Sequence, residues 1–171
     1  MKKVFTTLLA GAFTAVAGFA LADGHGFKPA VIYDMGGKFD KSFNEGVYNG
    51  IKKFSEETGV EVMEFEVTNE AQRQQAMEKM VQRGATVVLG VGFAQADAIS
   101  AVAAANPDVK FSIIDVSWLD HPNLRQYGFK EQEGSYLVGM AAAMASKTGK
   151  VGFVGGMDIP LIRAFGCGYE Q

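Results

Sequence analysis

Short apolar runs that stop at an aspartate or a glycine and open onto a helix recur along this 171-residue chain, and that alternation constrains its fold most. The run at 30–33 stops at Asp34, the run at 86–91 meets Gly92, and the run at 110–116 carries Asp115 near its end. Runs of this kind, apolar on both faces, suit the covered strands of a parallel sheet. Residues 61–67 add a strand with Met63, Phe65 and Val67 on one side. Between the strands, Phe43, Val47, Ile51 and Phe54 recur at helical spacing, as do Ala71, Met77, Met80 and Val81. An Ala-rich helix is expected over 94–105. The order βαβαβαβ predicts an α/β fold, a doubly wound parallel sheet with helices on both faces. Farther on, 124–129 reads as short and extended, 131–144 as a helix, 151–154 as a fifth main strand, and Pro160 as the opening of another helix. Tyr136, Met140 and Met144, four residues apart, read as a core stripe.

The segment 34–45 between the first strand and first helix has the makings of a binding loop. Gly36 and Gly37 permit the positive φ angles of a tight turn. Ser42 stands three residues before Glu45, the capping-box spacing, and Asn69 stands three before Gln72, so both helices are expected to start on side-chain caps. Asp34, Phe39, Asp40, Phe43 and Asn44 would gather beyond the carboxyl end of the strand, where ligands bind in such sheets. Parallel strands bring Asp34 and Asp115 to the same edge. Either aspartate alone could serve only to accept backbone amides; the pair points to function. Gly90 and Gly92, before Phe93, open like a dinucleotide fingerprint, but Gln95 stands where the third glycine belongs, so this stretch is read as a second binding loop.

Residues 1–22 read as a secretory leader, with Lys2 and Lys3, an apolar small-residue stretch and an expected cleavage site after Ala22; the alternative, a membrane anchor, is weakened by the many Ala, Gly and Thr residues. The whole chain carries a net charge of −3, and loss of the two leader lysines makes it more acidic, which disfavours nucleic acid as a partner. The single cysteine, Cys167, cannot form an internal disulfide and is expected to be a small buried residue. His25 and His121 have no second ligand at metal spacing, so no metal or cofactor is expected.

The chain resembles the basic membrane protein family, the PnrA-like purine-nucleoside receptors of bacterial ABC transporters. The resemblance rests on Asp34 and Gly36 followed by the motif Asp40, Lys41, Ser42, Phe43 and Asn44; on 111–115 ending in Asp115; on 128–139; and on 151–157. It implies a periplasmic-binding-protein type I fold of two Rossmann-like lobes: 23–126 as the first, and 127–171 as the start of an incomplete second. It further implies a periplasmic protein that hands a nucleoside to an inner-membrane ABC permease. By the same resemblance Asp34 and Asp115 bind polar ligand atoms and Phe43 stacks on a base, with Asn44 and Phe93 nearby and Gly156 and Met157 on the face of the second lobe. No lipobox cysteine, which many relatives carry, precedes the mature chain.

Other readings stay open on the residues alone. Phe43 could simply pack on Val47 one turn later. A pentose receptor would use the same fold. An enzyme acting on nucleosides could use Asp34 or Asp115 as acid or base, although no Ser-His-Asp set or phosphate loop accompanies them.

Overall fold

The computed structural model describes residues 26–171; the leader and cleavage site expected from the sequence lie outside them. Five strands, β1 (Pro29–Tyr33), β2 (Met63–Glu66), β3 (Val87–Gly90), β4 (Lys110–Ile114) and β5 (Leu124–Tyr127), form one sheet in the order β2-β1-β3-β4-β5, every pair parallel. The doubly wound expectation holds, with the direction of winding reversing between β1 and β3. Of the stretch 124–129 expected to be extended, the sheet takes Leu124–Tyr127 as an edge strand.

Alternation along β1 explains the two layers. Its five residues are all buried, and successive side chains point to opposite faces. Ala30 and Ile32 join one apolar cluster with Met77 and Met80 of α2 (Gln72–Gln82) and with Ile99 and Val102 of α3 (Ala96–Ala105). Val31 and Tyr33 join the other, against Phe43, Val47 and Ile51 of α1 (Phe43–Thr58). Each fully buried side chain of this size contributes about 1.5–3 kcal/mol. Helix α1 stops where Gly59 turns left-handed at φ 70° and its amide reaches Ser55 O, as Gly59 predicts. The α3 region opens with a 3-10 turn at Phe93–Gln95 before the regular helix begins.

The start of α1 departs from the capping box. The Ser42 side chain makes no capping bond; the carboxylate of Asp40 does. One oxygen accepts from the amides of Ser42 (2.8 Å) and Glu45 (3.1 Å), and the other from the amide of Asn44 (3.1 Å). The Glu45 carboxylate turns to the Lys41 amide instead. Lys41, at φ 57°, takes the left-handed turn that sets Asp40 under the helix end. A carboxylate satisfies more free amides than one hydroxyl and complements the helix dipole, so Asp40 displaces Ser42. At α2 likewise Asn69 offers only its carbonyl to the Gln72 amide, while the Gln72 side chain accepts from the Thr68 amide and hydroxyl.

Beyond β5, α4 (Glu131–Ala145) and α5 (Pro160–Glu170) cross closely: an added Cβ at Gly139 would strike the Tyr169 carbonyl, and one at Gly168 the Gln132 carbonyl. Pro160 does open α5. The expected strand at 151–154 is not formed. No strand lies beside it among the described residues, so its backbone has no ladder to join, and Val154 is 97% exposed. Tyr136, Met140 and Met144 are exposed rather than core, because α4 meets α5 through its glycine face. Cys167, beside the Gly168 contact, is exposed rather than buried.

Burial works against charge on Asp40, but the amides of Asn44, Glu45 and Ser42 and the Asn44 side chain outweigh it and hold the carboxyl below its ordinary value. A depressed folded value means that the cap stabilises fully above the usual aspartate range and is lost as pH falls through the depressed value. Asp40→Ala is therefore expected to lower the thermal midpoint at neutral pH by about 2–4 °C, with the deficit narrowing in acid. Ser42→Ala leaves the midpoint unchanged. Melts followed by circular dichroism across pH check both.

Candidate ligand-binding site

Register brings the candidate residues into line. Ile32 of β1 pairs with Gly90 of β3, and Gly90 with Ile113 of β4. Two residues past each of these stand Asp34, Gly92 and Asp115, in a row along the carboxyl edge over three adjacent strands. With neighbouring strands about 4.8 Å apart, the Asp34 and Asp115 backbones lie roughly 10 Å from each other. The row crosses the β1/β3 switch point, the place where doubly wound sheets open a crevice.

Asp34 is fixed from behind. Its amide donates to Asn44 Oδ1 at 3.0 Å, and Asn44 Nδ2 donates to the Asp34 carbonyl at 3.4 Å and to Asp40 Oδ2 at 3.1 Å. Asn44 is only 2% exposed, so its side chain serves as a clasp joining β1, the loop and the cap. The loop is also pinned outward: the Lys38 amide donates to Glu66 Oε2 at 3.0 Å, and Lys38 Nζ pairs with Glu64 at 3.1 Å while lying over the Phe39 and Tyr48 rings.

Gly92 is the hub. Its φ is 95°, and a Cβ built there would stand 3.2 Å from Asp34 Oδ2 and 3.4 Å from Phe43 Cε1. Absence of a side chain thus lets the Asp34 carboxylate and the Phe43 ring converge on one place. Gln95 fills the position of the missing third glycine: wholly buried, it donates to the carbonyls of Ile32 (2.8 Å) and Val91 (2.9 Å) and ties the two strands at their switch point.

Asp115 has a left-handed backbone, φ 65°, with its amide donating to Tyr127 O at 2.7 Å. Non-glycine residues seldom adopt this conformation, and aspartate is among those that tolerate it. Burial, and then the nearby Glu131 carboxylate, push its carboxyl above the ordinary value. Asp115 and Phe43 line one cavity of about 700 Å³ with Phe129, Glu131, Phe153 and Phe165.

The other candidates lie apart from the row. Phe93 is half-buried, packs partly on the core, and faces a separate cavity of about 390 Å³ with Trp118 and Pro160. Met157 lines a cavity of about 440 Å³ that shares Phe153 with the larger one. Gly156 is exposed, with nothing near the place of a Cβ. His121 is half-buried and bonded through Nε2 to Ser100 Oγ at 2.7 Å. Sequence reading overlooked Phe129, which had no helical or strand periodicity to mark it. It also overlooked Arg73, whose Nη2 lies 3.3 Å from Asp34 Oδ1; a cation in the first turn of a helix was the available signal.

Gly92→Ala forces a left-handed alanine into a crowded place and is expected to destabilise the fold by about 1–2 kcal/mol. Gly156→Ala, in open space, changes nothing. Urea denaturation compares the two.

The sequence matches the family described as ABC transporter substrate-binding protein PnrA-like over residues 27–171. Basic membrane protein A1 of Borrelia garinii subsp. bavariensis is 40% identical over 147 residues, covering 83% of this chain and 43% of that protein. The ABC transporter nucleoside-binding protein BmpA of Lactococcus lactis subsp. cremoris is 34% identical over 146 residues, with 83% and 42% covered. Among solved structures, an ABC transporter solute-binding protein of Aeropyrum pernix superposes with a TM-score of 0.72 at 31% identity, covering 84% of this chain and 41% of that one. The chain spans less than half the length of these relatives. By sequence and by fold, it belongs to the PnrA-like family of ABC transporter substrate-binding proteins.

Proposed function

We propose that the full-length protein is an exported receptor that encloses a purine nucleoside between two lobes and delivers it to an inner-membrane ABC permease, with no catalytic step. Residues 23–126 are its first lobe, and 127–171 begin the second. The observation that carries this reading is the convergence of a flat aromatic face, Phe43, with two carboxylates, Asp34 and Asp115, at one sheet edge. A purine offers a π-face to stack, and ribose hydroxyls and base N–H groups are donors that a carboxylate accepts in strong, charge-assisted bonds. The relative named for nucleoside binding supports the same class of ligand. Closure of two lobes over the ligand draws its energy from contacts available only when both are present.

A thermal-shift panel of purine and pyrimidine nucleosides, free bases and pentoses on the full-length protein tests the ligand class, because a ligand bound only by the folded state raises the midpoint. Purine nucleosides are expected to stabilise. Stabilisation by a pentose alone moves the ligand to sugars, and conversion of a nucleoside during incubation makes the protein an enzyme. Phe43→Ala is expected to weaken nucleoside binding by about 1–3 kcal/mol in calorimetry without loss of fold.

Asp115 adds a pH signature. Its raised carboxyl must ionise to accept ligand donors, so affinity is full above the raised value and declines as pH falls through it. Calorimetry across pH should show that decline in the wild type and its absence in Asp115→Asn, which binds more weakly throughout.

A further inference from the structure

Arg73 lies at the second position of α2, where the positive end of the helix dipole disfavours a cation. It is nevertheless held inward: its side chain is 11% exposed, and Nε is buried without a partner among the described residues. Its inward partner is Asp34, 39 positions earlier in the chain, through Nη2 and Oδ1 at 3.3 Å; the second contact, Glu70 at 3.8 Å, is with a side chain 81% exposed. The Asp34 side chain is itself 24% exposed. Its two oxygens therefore have different surroundings. Oδ1 faces Arg73, whereas Oδ2 stands against Gly92, where the Phe43 ring also comes close, and accepts no hydrogen bond among the described residues.

We infer that Arg73 is a positioning residue: by holding Oδ1 it turns Asp34 so that Oδ2 is presented, as a free acceptor, beside Phe43 to a donor on the ligand. This rests on the nucleoside reading above. An aspartate side chain rotates about both Cα–Cβ and Cβ–Cγ, and the Arg73 contact restricts both before the ligand arrives. The ordering entropy is then absent from the binding step. Helix α2 delivers the guanidinium to the carboxyl edge because β2 runs parallel to β1, so the helix that follows it starts at that edge.

The test is calorimetry on the full-length protein with the preferred purine nucleoside and a series of analogues, each lacking one ring or ribose donor. Arg73→Gln is expected to weaken the parent nucleoside about 10-fold, and Arg73→Lys to recover most of that loss. The decisive readout is selectivity. The analogue whose missing donor no longer matters in Asp34→Asn should also no longer matter in Arg73→Gln, while the other analogues keep their penalties. The double variant should bind no more weakly than Asp34→Asn. Glu70→Gln should match the wild type.

Wild-type affinity in Arg73→Gln overturns the inference, as does an equal loss for every analogue or an additive double variant, since those mark a merely structural arginine. If Arg73→Gln does not fold, Arg73→Lys carries the same comparison, and unchanged selectivity together with unchanged affinity there overturns the proposal. A wild-type protein that binds a pentose and no nucleoside overturns the nucleoside reading. Arg73 is then scored on pentose deoxy analogues by the same pattern.

Discussion

Parallel register at the β1/β3 switch point is the constraint on which the rest of this structure depends. Backbone ladders hold Ile32, Gly90 and Ile113 level, so whatever follows each strand by two residues must surface side by side. Asp34, Gly92 and Asp115 stand in one row only for that reason. A slip of one residue in any of these strands would exchange that strand's own two faces and bury the wrong side chains. The cores on both faces therefore enforce the same register that assembles the site.

Around this row, groups that could have met a ligand directly are used as bracing. Asn44 clasps the Asp34 backbone, Asp40 caps α1, and Gln95 joins β1 to β3 beyond the last ladder bond. The Gln95 bonds are buried, and losing a buried bond of this kind costs about 1–3 kcal/mol. The loop after β1 is thus held rigid from beneath, leaving Phe43 and the outer oxygen of Asp34 in place on its upper side. Left-handed backbone at Lys41 and Asp115 marks the two points where the chain accepts strain to aim these groups.

The aromatic wall of the larger cavity comes from a different source. Phe43 belongs to α1, whereas Phe129, Phe153 and Phe165 come from the chain after β5. Aromatic side chains there meet Asp115 over the edge of the sheet. That division, Asp115 and one ring from the chain before β5 and further rings with Glu131 from the chain after it, accords with the two-lobed closure proposed for the full-length protein.

Much of the fold could be read from the sequence because strand and helix periodicity, and glycine as a helix stop, are local properties. The four main strands, α1 with its end at Gly59, and the placing of Asp34 and Asp115 at one edge all followed from spacing. What sequence alone could not decide was competition among neighbours. Ser42 and Asp40 both suit a cap, and only the turn at Lys41 settles that the carboxylate reaches the free amides. Residues 151–154 have strand composition, but a strand needs a partner ladder, which is a tertiary matter. The Met and Tyr stripe of α4 has core periodicity, but burial depends on what packs against it, and α5 packs on glycine instead. Arg73 reads as an ordinary polar residue of α2 until the fold sets it against a carboxylate 39 positions away. The sequence by itself determined the elements and the order in which they wind. Tertiary structure decided which polar groups brace the loop and which stay free, because that choice depends on distances between residues far apart in the chain.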